Sequence, residues 1–400
     1  MKIHVLSGLF PTENSSSGGI FIYERLKQLQ HHHVSFEVYT LENQYSKFIQ
    51  FVYKCLKQKT LNSKVIKWDL VSKQKISEYK ITTPFLILSR IYPAMTLKRM
   101  TKKLESCLFL NNGDVLHAHW VYPHGYVATL LAKKHNIPCV VTAHGSDIHT
   151  IPRKNRTIKK YTLKTLNSAD KVIFVSQALL ESAKELGYSG ENAAVIPNGI
   201  DMEYFYPMEK EEALNRTGWK QTKRHVVGFV GNLIPVKRAD KFVEIFSEIQ
   251  KQVQDVEFIL VGDGDLIDDI QSGASAAGLT VTFAGRVPHE DVCCWMNLFD
   301  VMILPSRNEG WPCVVLEAFG CGTPVVGSQN GGVAEAIGGL CPSVADGDGF
   351  EKRFAEAVCS VLTGEYAVDH DALIARAHAY TWDECVRKEV DVYQGLIPKK

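Results

Sequence analysis

The segment Glu309-Gly-Trp-Pro-Cys-Val-Val-Leu-Glu317 holds two glutamates eight positions apart, just after the apolar run Asp300-Val-Met-Ile-Leu-Pro-Ser306. That run has the length and composition of a buried strand. Pro312 suits the first position of a helix, because its missing N–H would have no partner there. The pattern predicts a strand, then a loop that carries Glu309, then a helix with Glu317 about one and a half turns from its start.

The predicted start of this helix is a candidate anion site. Backbone N–H groups at a helix N-terminus have no partner within the helix, and the helix dipole favours negative charge there. The two flanking carboxylates can accept hydrogen bonds from hydroxyl groups. A nucleotide sugar presents both phosphates and hydroxyls, so we predict that this segment binds one. The predicted contacts are Glu309, Gly310, Trp311, Pro312, Cys313, Val314 and Glu317.

The chain continues as Ala318-Phe-Gly-Cys-Gly-Thr-Pro324-Val-Val, and the combined segment resembles the donor signature of family 4 glycosyltransferases, retaining enzymes of the GT-B fold. In that family the first glutamate contacts the donor sugar and the second binds the ribose. The resemblance therefore implies a catalytic position for Glu309 and a ribose contact for Glu317. The competing interpretation is a helix with one glutamate favoured by the dipole and another in solvent.

Composition and charge favour a globular protein with two different halves. The chain has 400 residues, enough for two or three domains. Residues 1–200 carry a charge of +14 (27 Lys and Arg, 13 Asp and Glu), and residues 201–400 carry −13 (18 and 31). No apolar run reaches the ~18 residues of a spanning helix, and the ten scattered cysteines suit a reducing compartment. We expect a cytoplasmic protein without a signal peptide.

Apolar runs of strand length alternate with helical patterns in both halves, which is typical of repeated β-α-β units. An amphipathic pattern over 381–393 predicts a final helix. The predicted strands are Ile3–Leu6, Val34–Thr40, Val115–Ala118, Pro138–Thr142, Lys171–Val175, Val226–Val230, Glu257–Val261, Val281–Ala284, Val301–Leu304 and Pro324–Gly327.

We therefore expect an α/β protein with two Rossmann-like, doubly wound parallel sheets. The predicted divisions are an acceptor-binding domain at 1–197, a nucleotide-sugar-binding domain at 198–377 and a terminal segment at 378–400. The family resemblance implies that the two domains face each other, with the active site in the cleft between them, and that the last helix crosses back onto the first domain.

A second candidate phosphate site is Gly231-Asn-Leu-Ile-Pro-Val-Lys237-Arg238. It resembles the glycine turn and lysine that hold the donor diphosphate in family 4, but Asn232 stands where many members have arginine. We interpret Gly231 and Asn232 as donor contacts, Lys237 as a catalytic residue at the donor diphosphate, and Arg238 as a replacement for the missing arginine. The alternative is a solvated basic helix start. Val287 lies in a segment that contacts the nucleotide base in the family, whereas a chain reversal alone explains the glycines of Val261-Gly-Asp-Gly264.

In the first half, polar and glycine residues follow predicted strands. Gly18 and Gly19 precede a helix and could contact the donor or acceptor. Thr142-Ala-His144-Gly-Ser-Asp147 resembles a family segment whose histidine lies beside the donor sugar and whose aspartate is near the acceptor. That resemblance implies a catalytic role for His144, with Asp147 near the acceptor. We also place His119, which follows another predicted strand, on the acceptor side. The alternative is that these histidines only satisfy hydrogen bonds at strand ends. A metal site is disfavoured, since no Cys or carboxylate completes a familiar ligand spacing.

The segment 47–103 has 14 Lys and Arg against two acidic residues, with aromatic residues interleaved. We interpret it as a basic insertion that contacts an anionic membrane. A soluble basic face is the alternative, and no nucleic-acid recognition motif accompanies it.

The resemblance to family 4 implies a retaining hexosyltransferase that needs no metal or other cofactor. It would move a sugar from a nucleotide sugar, UDP-linked in preference to GDP-linked, to a carbohydrate or lipid-linked acceptor in cell-surface polysaccharide or glycoconjugate biosynthesis. Its expected location is the cytoplasm, peripherally at the inner face of the plasma membrane. A non-catalytic or epimerase-type nucleotide-sugar-binding GT-B protein is the alternative.

Overall fold

The computed structural model describes residues 1–11, 18–45, 75–83 and 93–397. The chain divides into an N-terminal unit, Met1–Pro197 with Trp382–Lys400, and a C-terminal unit, Asn198–Thr381. Residues 378–381 were predicted to belong to the terminal segment, but the structure places them in the C-terminal unit. The reason is a backbone pairing, in which the Ile200 N–H donates to the Tyr380 carbonyl (2.9 Å) and Ile200 bridges to Thr381.

The sheet of the N-terminal unit has, among the residues described, seven parallel strands in the order β3-β2-β1-β4-β5-β6-β7. Every residue of the fourth and fifth strands is buried, as expected for a parallel sheet covered on both faces. The strands are β1 (Lys2–Ser7), β2 (Ser35–Tyr45), β3 (Lys75–Thr83), β4 (Val115–His119), β5 (Cys139–Ala143), β6 (Lys171–Phe174) and β7 (Ala193–Val195).

Where the structure describes the connections between these strands, helices form them, as expected for a parallel sheet. A π-helical turn, Val121–Gly125, leads from β4 into the helix that follows it. The helices are α1 (Ile20–His31), α2 (Pro93–Glu105), α3 (Tyr126–His135), α4 (Ser146–His149), α5 (Ile151–Lys154), α6 (Arg156–Ser168) and α7 (Gln177–Leu186).

The C-terminal unit repeats the architecture, with six parallel strands across its described residues in the order β10-β9-β8-β11-β12-β13. Its strands are β8 (His225–Val230), β9 (Val256–Val261), β10 (Val281–Gly285), β11 (Val301–Leu304), β12 (Val325–Ser328) and β13 (Ser343–Val344). Its helices are α8 (Lys210–Thr217), α9 (Phe242–Gln252), α10 (Ile267–Ala276), α11 (Val292–Met296), α12 (Cys313–Gly320), α13 (Val333–Ile337), α14 (Phe350–Leu362) and α15 (His370–His378). Single 3-10 turns occupy Pro235–Lys237, Ala239–Lys241 and His289–Asp291.

The predicted last helix is confirmed as α16 (Trp382–Leu396), and it packs in the N-terminal unit beside α1. Val386, Val390 and Tyr393 join Ile22 and Leu26 in one buried apolar cluster. Burial of this face explains why a helix so late in the chain belongs to the first sheet.

All the predicted strands are present, and the described residues contain three others that were not predicted. β7 and β13 have three and two residues, too few for a periodic pattern. β3 lies within the predicted basic insertion, where it pairs in parallel with β2. Because β3 and α2 are elements of the N-terminal unit, the interpretation of 47–103 as one appended insertion is wrong for these parts. Residues 46–74 and 84–92 lie outside the described residues.

Candidate functional site

Glu309 and Lys237, both predicted as catalytic, form an ion pair in the C-terminal unit. The Lys237 Nζ lies 2.5 Å from the Glu309 Oε1, and the side chains are 20% and 14% exposed. The Glu309 carbonyl accepts a hydrogen bond from the Gly332 N–H at 3.0 Å. Glu309 is therefore held at its side chain by the loop after β8 and at its backbone by the turn after β12.

The helix after Glu309 starts one residue later than predicted. Pro312 is extended, with φ −82° and ψ 93°, and α12 begins at Cys313. Gly310 and Trp311 therefore belong to the loop, and the Val315 N–H already donates to the Pro312 carbonyl (3.0 Å). Trp311 is 6% exposed. The donors that the start of the helix can offer an anion thus come from Cys313 and Val314, rather than from Gly310 and Trp311.

Glu317 faces the segment that carries Val287. The His289 Nε2 lies 3.7 Å from the Glu317 Oε1, and these side chains are 40% and 16% exposed. The Phe205 ring packs edge-on against His289, with 5.2 Å between the ring centroids. The structure therefore brings the predicted ribose contact and the predicted base-contacting segment together on one side of α12. Neither Phe205 nor His289 was predicted as a site residue.

Three strand-end turns of the C-terminal unit stack on one another. The Gly231 N–H donates to the Val261 carbonyl (2.9 Å), and the Gly262 N–H donates to the Gly285 carbonyl (2.8 Å). Gly262 has a φ of +132°, and a Cβ on it would lie 2.0 Å from the Gly231 oxygen. The turn at 261–264, which was left out of the predicted site, therefore supports the backbone of Gly231 directly. The sequence showed a chain reversal there, but not which loop would lie against it.

Gly262→Ala is expected to destabilise the C-terminal unit by about 2–4 kcal/mol, because positive-φ strain is added to a backbone clash. Gly347→Ala is the matched control, since Gly347 has a φ of +119° but no atom within 4 Å of its Cβ position. In the control variant, the free energy of unfolding should fall only by the backbone strain, about 1–2 kcal/mol. If urea unfolding gave equal losses of unfolding free energy for the two variants, Gly262 would not have the proposed role in supporting Gly231.

Arg238 does not fit the predicted diphosphate contact. Its side chain is buried: Nε donates to the Pro305 carbonyl at 3.0 Å and Nη2 to the Asp346 Oδ1 at 2.8 Å. The guanidinium also stacks over Phe350 at 3.9 Å. Its charge is thus already neutralised inside the C-terminal unit, and its role is to join the strand-end loops. Asn232 is exposed at the end of β8.

His144 and His119 lie together in the N-terminal unit. The His119 Nδ1 and the His144 Nε2 are 2.9 Å apart. The rings of Phe21 and Trp120 each have their centroid 4.8 Å from that of His144. Burial lowers the pKa of both histidines well below the usual value, so both are neutral at pH 7.

A chain of buried hydrogen bonds runs from β5 to α16 behind these two histidines. The Tyr393 hydroxyl donates to Glu389, so the Tyr393 oxygen accepts from the His117 Nδ1–H at 2.6 Å. The His117 Nε2 in turn accepts from the Thr142 hydroxyl at 2.8 Å. Glu389 is paired with the buried Arg25. The chain fixes His117 as a neutral Nδ1–H tautomer. The sequence did not show this network, because its members are separated by up to 364 positions.

Asp147 does not fit the predicted acceptor contact. It is 1% exposed. Its Oδ2 accepts from the Val121 N–H (2.9 Å), and its Oδ1 accepts from the N–H groups of Gly145 (2.9 Å) and His144 (3.1 Å). Asp147 thus ties the loop that carries His144 to the end of β4. Burial raises its pKa, while these three donors favour the charged form.

Gly18 and Gly19 lie where predicted, directly before α1. Gly19 has a φ of +76°, and a Cβ there would lie 2.9 Å from the Leu9 carbonyl oxygen. Conformation and space both require glycine at this position. Contact of these two residues with a substrate stays a prediction.

Acidification is expected to destabilise the N-terminal unit. Burial lowers the pKa of His117 and of His124 to about 4, below the unfolded value of about 6.5. The unfolded chain thus binds more protons between these values, and stability present above pH 6.5 is lost as the pH falls towards 4. Each histidine should contribute about 2 kcal/mol of loss between pH 6.5 and 5.

The measurement is the free energy of unfolding in urea at several pH values, for the wild type and for His117→Gln and His124→Gln. Both variants should show a shallower dependence on pH, whatever their stability at pH 7. A wild-type free energy that is unchanged between pH 7 and 5 would contradict the burial argument.

Two negative findings hold for the part of the chain that the structure describes. No three His, Cys, Asp or Glu side chains there are placed to share a metal ion. No helix among the same residues has the length and apolar character to cross a membrane.

Comparison with known proteins agrees with this architecture. Residues 28–204 match the family model "Glycosyltransferase Family 4", and residues 224–364 match "Glycosyl transferases group 1". The chain belongs to the family 4 glycosyltransferases of the GT-B fold. This confirms the predicted family and the α/β fold class, while the mutual arrangement of the two domains stays a prediction.

Two relatives and one solved structure illustrate the similarity. TuaC of Bacillus subtilis (strain 168), a glycosyltransferase assigned to teichuronic acid biosynthesis, is 34% identical over 227 residues, 56% of this chain and 55% of TuaC. The N-acetyl-alpha-D-glucosaminyl L-malate synthase of Bacillus anthracis is 28% identical over 62% of this chain and 64% of its own length. The chain thus spans less than two thirds of both. HepE of Anabaena, crystallised with UDP, has a TM-score of 0.72 at 17% identity, covering 99% of this chain and 100% of HepE.

Proposed function

We propose that the protein transfers a sugar from a nucleotide sugar, UDP-linked in preference to GDP-linked, to a carbohydrate or lipid-linked acceptor in cell-surface polysaccharide or glycoconjugate biosynthesis. The observation that carries this proposal is the Lys237–Glu309 ion pair beside the start of α12. It brings a cation from the loop after β8 to a carboxylate in the loop that leads from β11 to the N–H donors at the start of α12. The UDP and UDP-glucose complexes of HepE support the choice of UDP.

In this proposal the C-terminal unit binds the donor. The Lys237 ammonium has three donors, so it can contact phosphate while it holds Glu309. Cys313 and Val314 at the start of α12 add favourable dipole and hydrogen bonds for the diphosphate. Glu309 accepts hydrogen bonds from donor-sugar hydroxyls, and Glu317 with the Val287–His289 segment binds the nucleoside.

The reaction proposed is retaining and metal-independent. Lys237 and the N–H donors would stabilise the departing nucleoside diphosphate, the role that a divalent cation has in other phosphate-leaving reactions. In the N-terminal unit, neutral His144 can donate one hydrogen bond to a sugar hydroxyl, oriented by its contact with His119. Gly18 and Gly19 are proposed to contact the acceptor or the donor diphosphate through the backbone.

A membrane-bound acceptor is consistent with the surface of α2. Its exposed residues include Met95, Lys98, Arg99 and Lys102, and Phe109 just beyond it is 83% exposed. Basic and apolar groups together suit an anionic lipid surface. Sedimentation with phosphatidylglycerol vesicles, but not with phosphatidylcholine vesicles, is expected, and binding should weaken in Lys98→Glu/Lys102→Glu. Equal binding to both lipids would contradict this part of the proposal.

The donor proposal is tested by thermal unfolding with a panel of UDP- and GDP-sugars. One sugar nucleotide should stabilise the wild type by about 2–3 kcal/mol at ~100 times its Kd. The stabilisation should fall to about half or less in Lys237→Ala and be kept in Lys241→Ala, a control in the next 3-10 turn whose side chain pairs with Glu244. No effect of any nucleotide would overturn the proposal. Binding without release of UDP in the presence of candidate acceptors would instead favour the non-catalytic alternative.

A further inference from the structure

Two buried cysteines of the C-terminal unit lie in contact with each other. The Cys293 and Cys321 sulfur atoms are 3.7 Å apart, and the residues are 2% and 6% exposed. Cys293 is in α11, and Cys321 directly follows α12, the helix that carries Glu317. Both are free thiols. A disulfide requires the sulfur atoms to approach to about 2.05 Å, so a movement of less than 2 Å separates this contact from a covalent bond.

The two thiols have different surroundings. The Cys321 thiol donates to the Cys293 sulfur, which also accepts from the Asn297 Nδ2 at 3.4 Å. The hydrogen bond from Cys321 lowers the pKa of Cys293 to about 7, and nearby Arg216 acts in the same direction. The same hydrogen bond and burial raise the pKa of Cys321. The thiolate form is thus favoured at Cys293 over Cys321, and in its thiol form Cys293 donates to the Tyr206 carbonyl (3.5 Å).

We propose that Cys293 and Cys321 are an oxidation site that forms a reversible intramolecular disulfide, with hydrogen peroxide as the oxidant. The Cys293 thiolate attacks one peroxide oxygen, which gives a sulfenic acid and hydroxide. The Cys321 sulfur then attacks the sulfenic sulfur, its proton passes to the leaving oxygen, and water departs. In sum, two thiols and one peroxide give one disulfide and two waters. Peroxide is close to water in size, which suits a site buried to this degree.

The disulfide is expected to act on the predicted nucleoside contacts, and this consequence rests on the proposed function. His289 precedes Cys293 by four residues and Glu317 precedes Cys321 by four, and these two side chains are 3.7 Å apart. Drawing the sulfur atoms together shifts α11 against the end of α12. The affinity for UDP is expected to fall about tenfold, comparable to the loss of one hydrogen bond to a charged group.

The test treats the reduced full-length protein with hydrogen peroxide, alkylates the remaining thiols and maps cross-linked peptides by fragmentation in the mass spectrometer. A cross-link between Cys293 and Cys321 that dithiothreitol reverses is expected. Cys293→Ala and Cys321→Ala should each abolish it, whereas the adjacent Cys294→Ala should not. Circular dichroism confirms that each sample remains folded. A wild type that keeps both thiols, or in which Cys293 is oxidised only to the sulfinic acid, would overturn the proposal.

UDP binding by calorimetry, before and after oxidation, separates the two proposals. A weaker affinity in the oxidised wild type, restored by dithiothreitol and absent from peroxide-treated Cys293→Ala, is expected. An unchanged affinity despite a mapped cross-link would overturn the coupling to the nucleoside contacts. If the reduced protein binds no nucleotide, the proposed function fails, while the mapped disulfide still stands.

Discussion

Replacing Glu309 with glutamine is expected to slow sugar transfer by about a hundredfold to a thousandfold, with little change in UDP affinity. Glu309 is 14% exposed and its charge is balanced by Lys237. Glutamine keeps the size of the side chain but removes the negative charge that accepts donor-sugar hydrogen bonds. The measurement is UDP release from the donor sugar identified in the nucleotide panel, together with calorimetric binding of UDP.

Two comparisons show whether Glu309 acts on the sugar or only on Lys237. Lys237→Ala should weaken UDP binding about tenfold or more, because it removes a cation from the diphosphate site. Asp240→Asn is the control. Asp240 lies in the same unit, but its carboxylate accepts two hydrogen bonds from Arg307 rather than from Lys237. It should retain transfer. A parallel loss of UDP affinity and turnover in Glu309→Gln would show that the carboxylate only positions Lys237.

Removing the Glu389 carboxylate is expected to destabilise the N-terminal unit by about 3–5 kcal/mol, because Glu389→Ala leaves the Arg25 guanidinium buried without its counter-charge. The two side chains are 0% and 1% exposed. Burial raises the pKa of Glu389, but Arg25, His117 and the hydrogen bond from Tyr393 together more than offset this, so the pKa is lowered. The variant also removes the acceptor of the Tyr393 hydroxyl. Urea unfolding at pH 7 measures the loss.

The matched control is Glu384→Ala on the same helix. Glu384 pairs with Arg387 at 2.6 Å, but these side chains are 43% and 55% exposed, and an exposed pair contributes about 0–1 kcal/mol. A second comparison is Arg25→Met/Glu389→Leu, which replaces both charges by apolar groups and should recover much of the stability. A double variant that is less stable than Glu389→Ala would contradict this account of the pair.

Most of the fold could be predicted because its signals are local. Parallel strands buried on both faces are continuous apolar runs, and the helices between them have their own periodicity. The strands that escaped prediction were too short, as β7 and β13, or unusually basic, as the segment that contains β3. The start of α12 was misplaced by one residue because proline is accepted both at the first helical position and just before it.

The site was predicted in part, and the errors share one cause. Lys237, Glu309 and Glu317 could be singled out because each lies in a recognisable local segment, and their contacts with a donor stay predictions. Arg238 was misinterpreted, because the sequence does not show that Asp346 and Phe350 surround its side chain. Asp147 was misinterpreted in the same way, since the Val121 N–H that it holds lies 26 positions away.

The sequence by itself determined the family, the two repeats of alternating strands and helices, and the loop that presents Glu309, because these depend on neighbouring residues. Only the tertiary structure decided the partner of each charged or polar side chain. It paired Glu309 with Lys237, Glu389 with Arg25 and Cys293 with Cys321. Such pairings depend on how distant segments meet, and the direction of a buried side chain is set by the groups that satisfy it there.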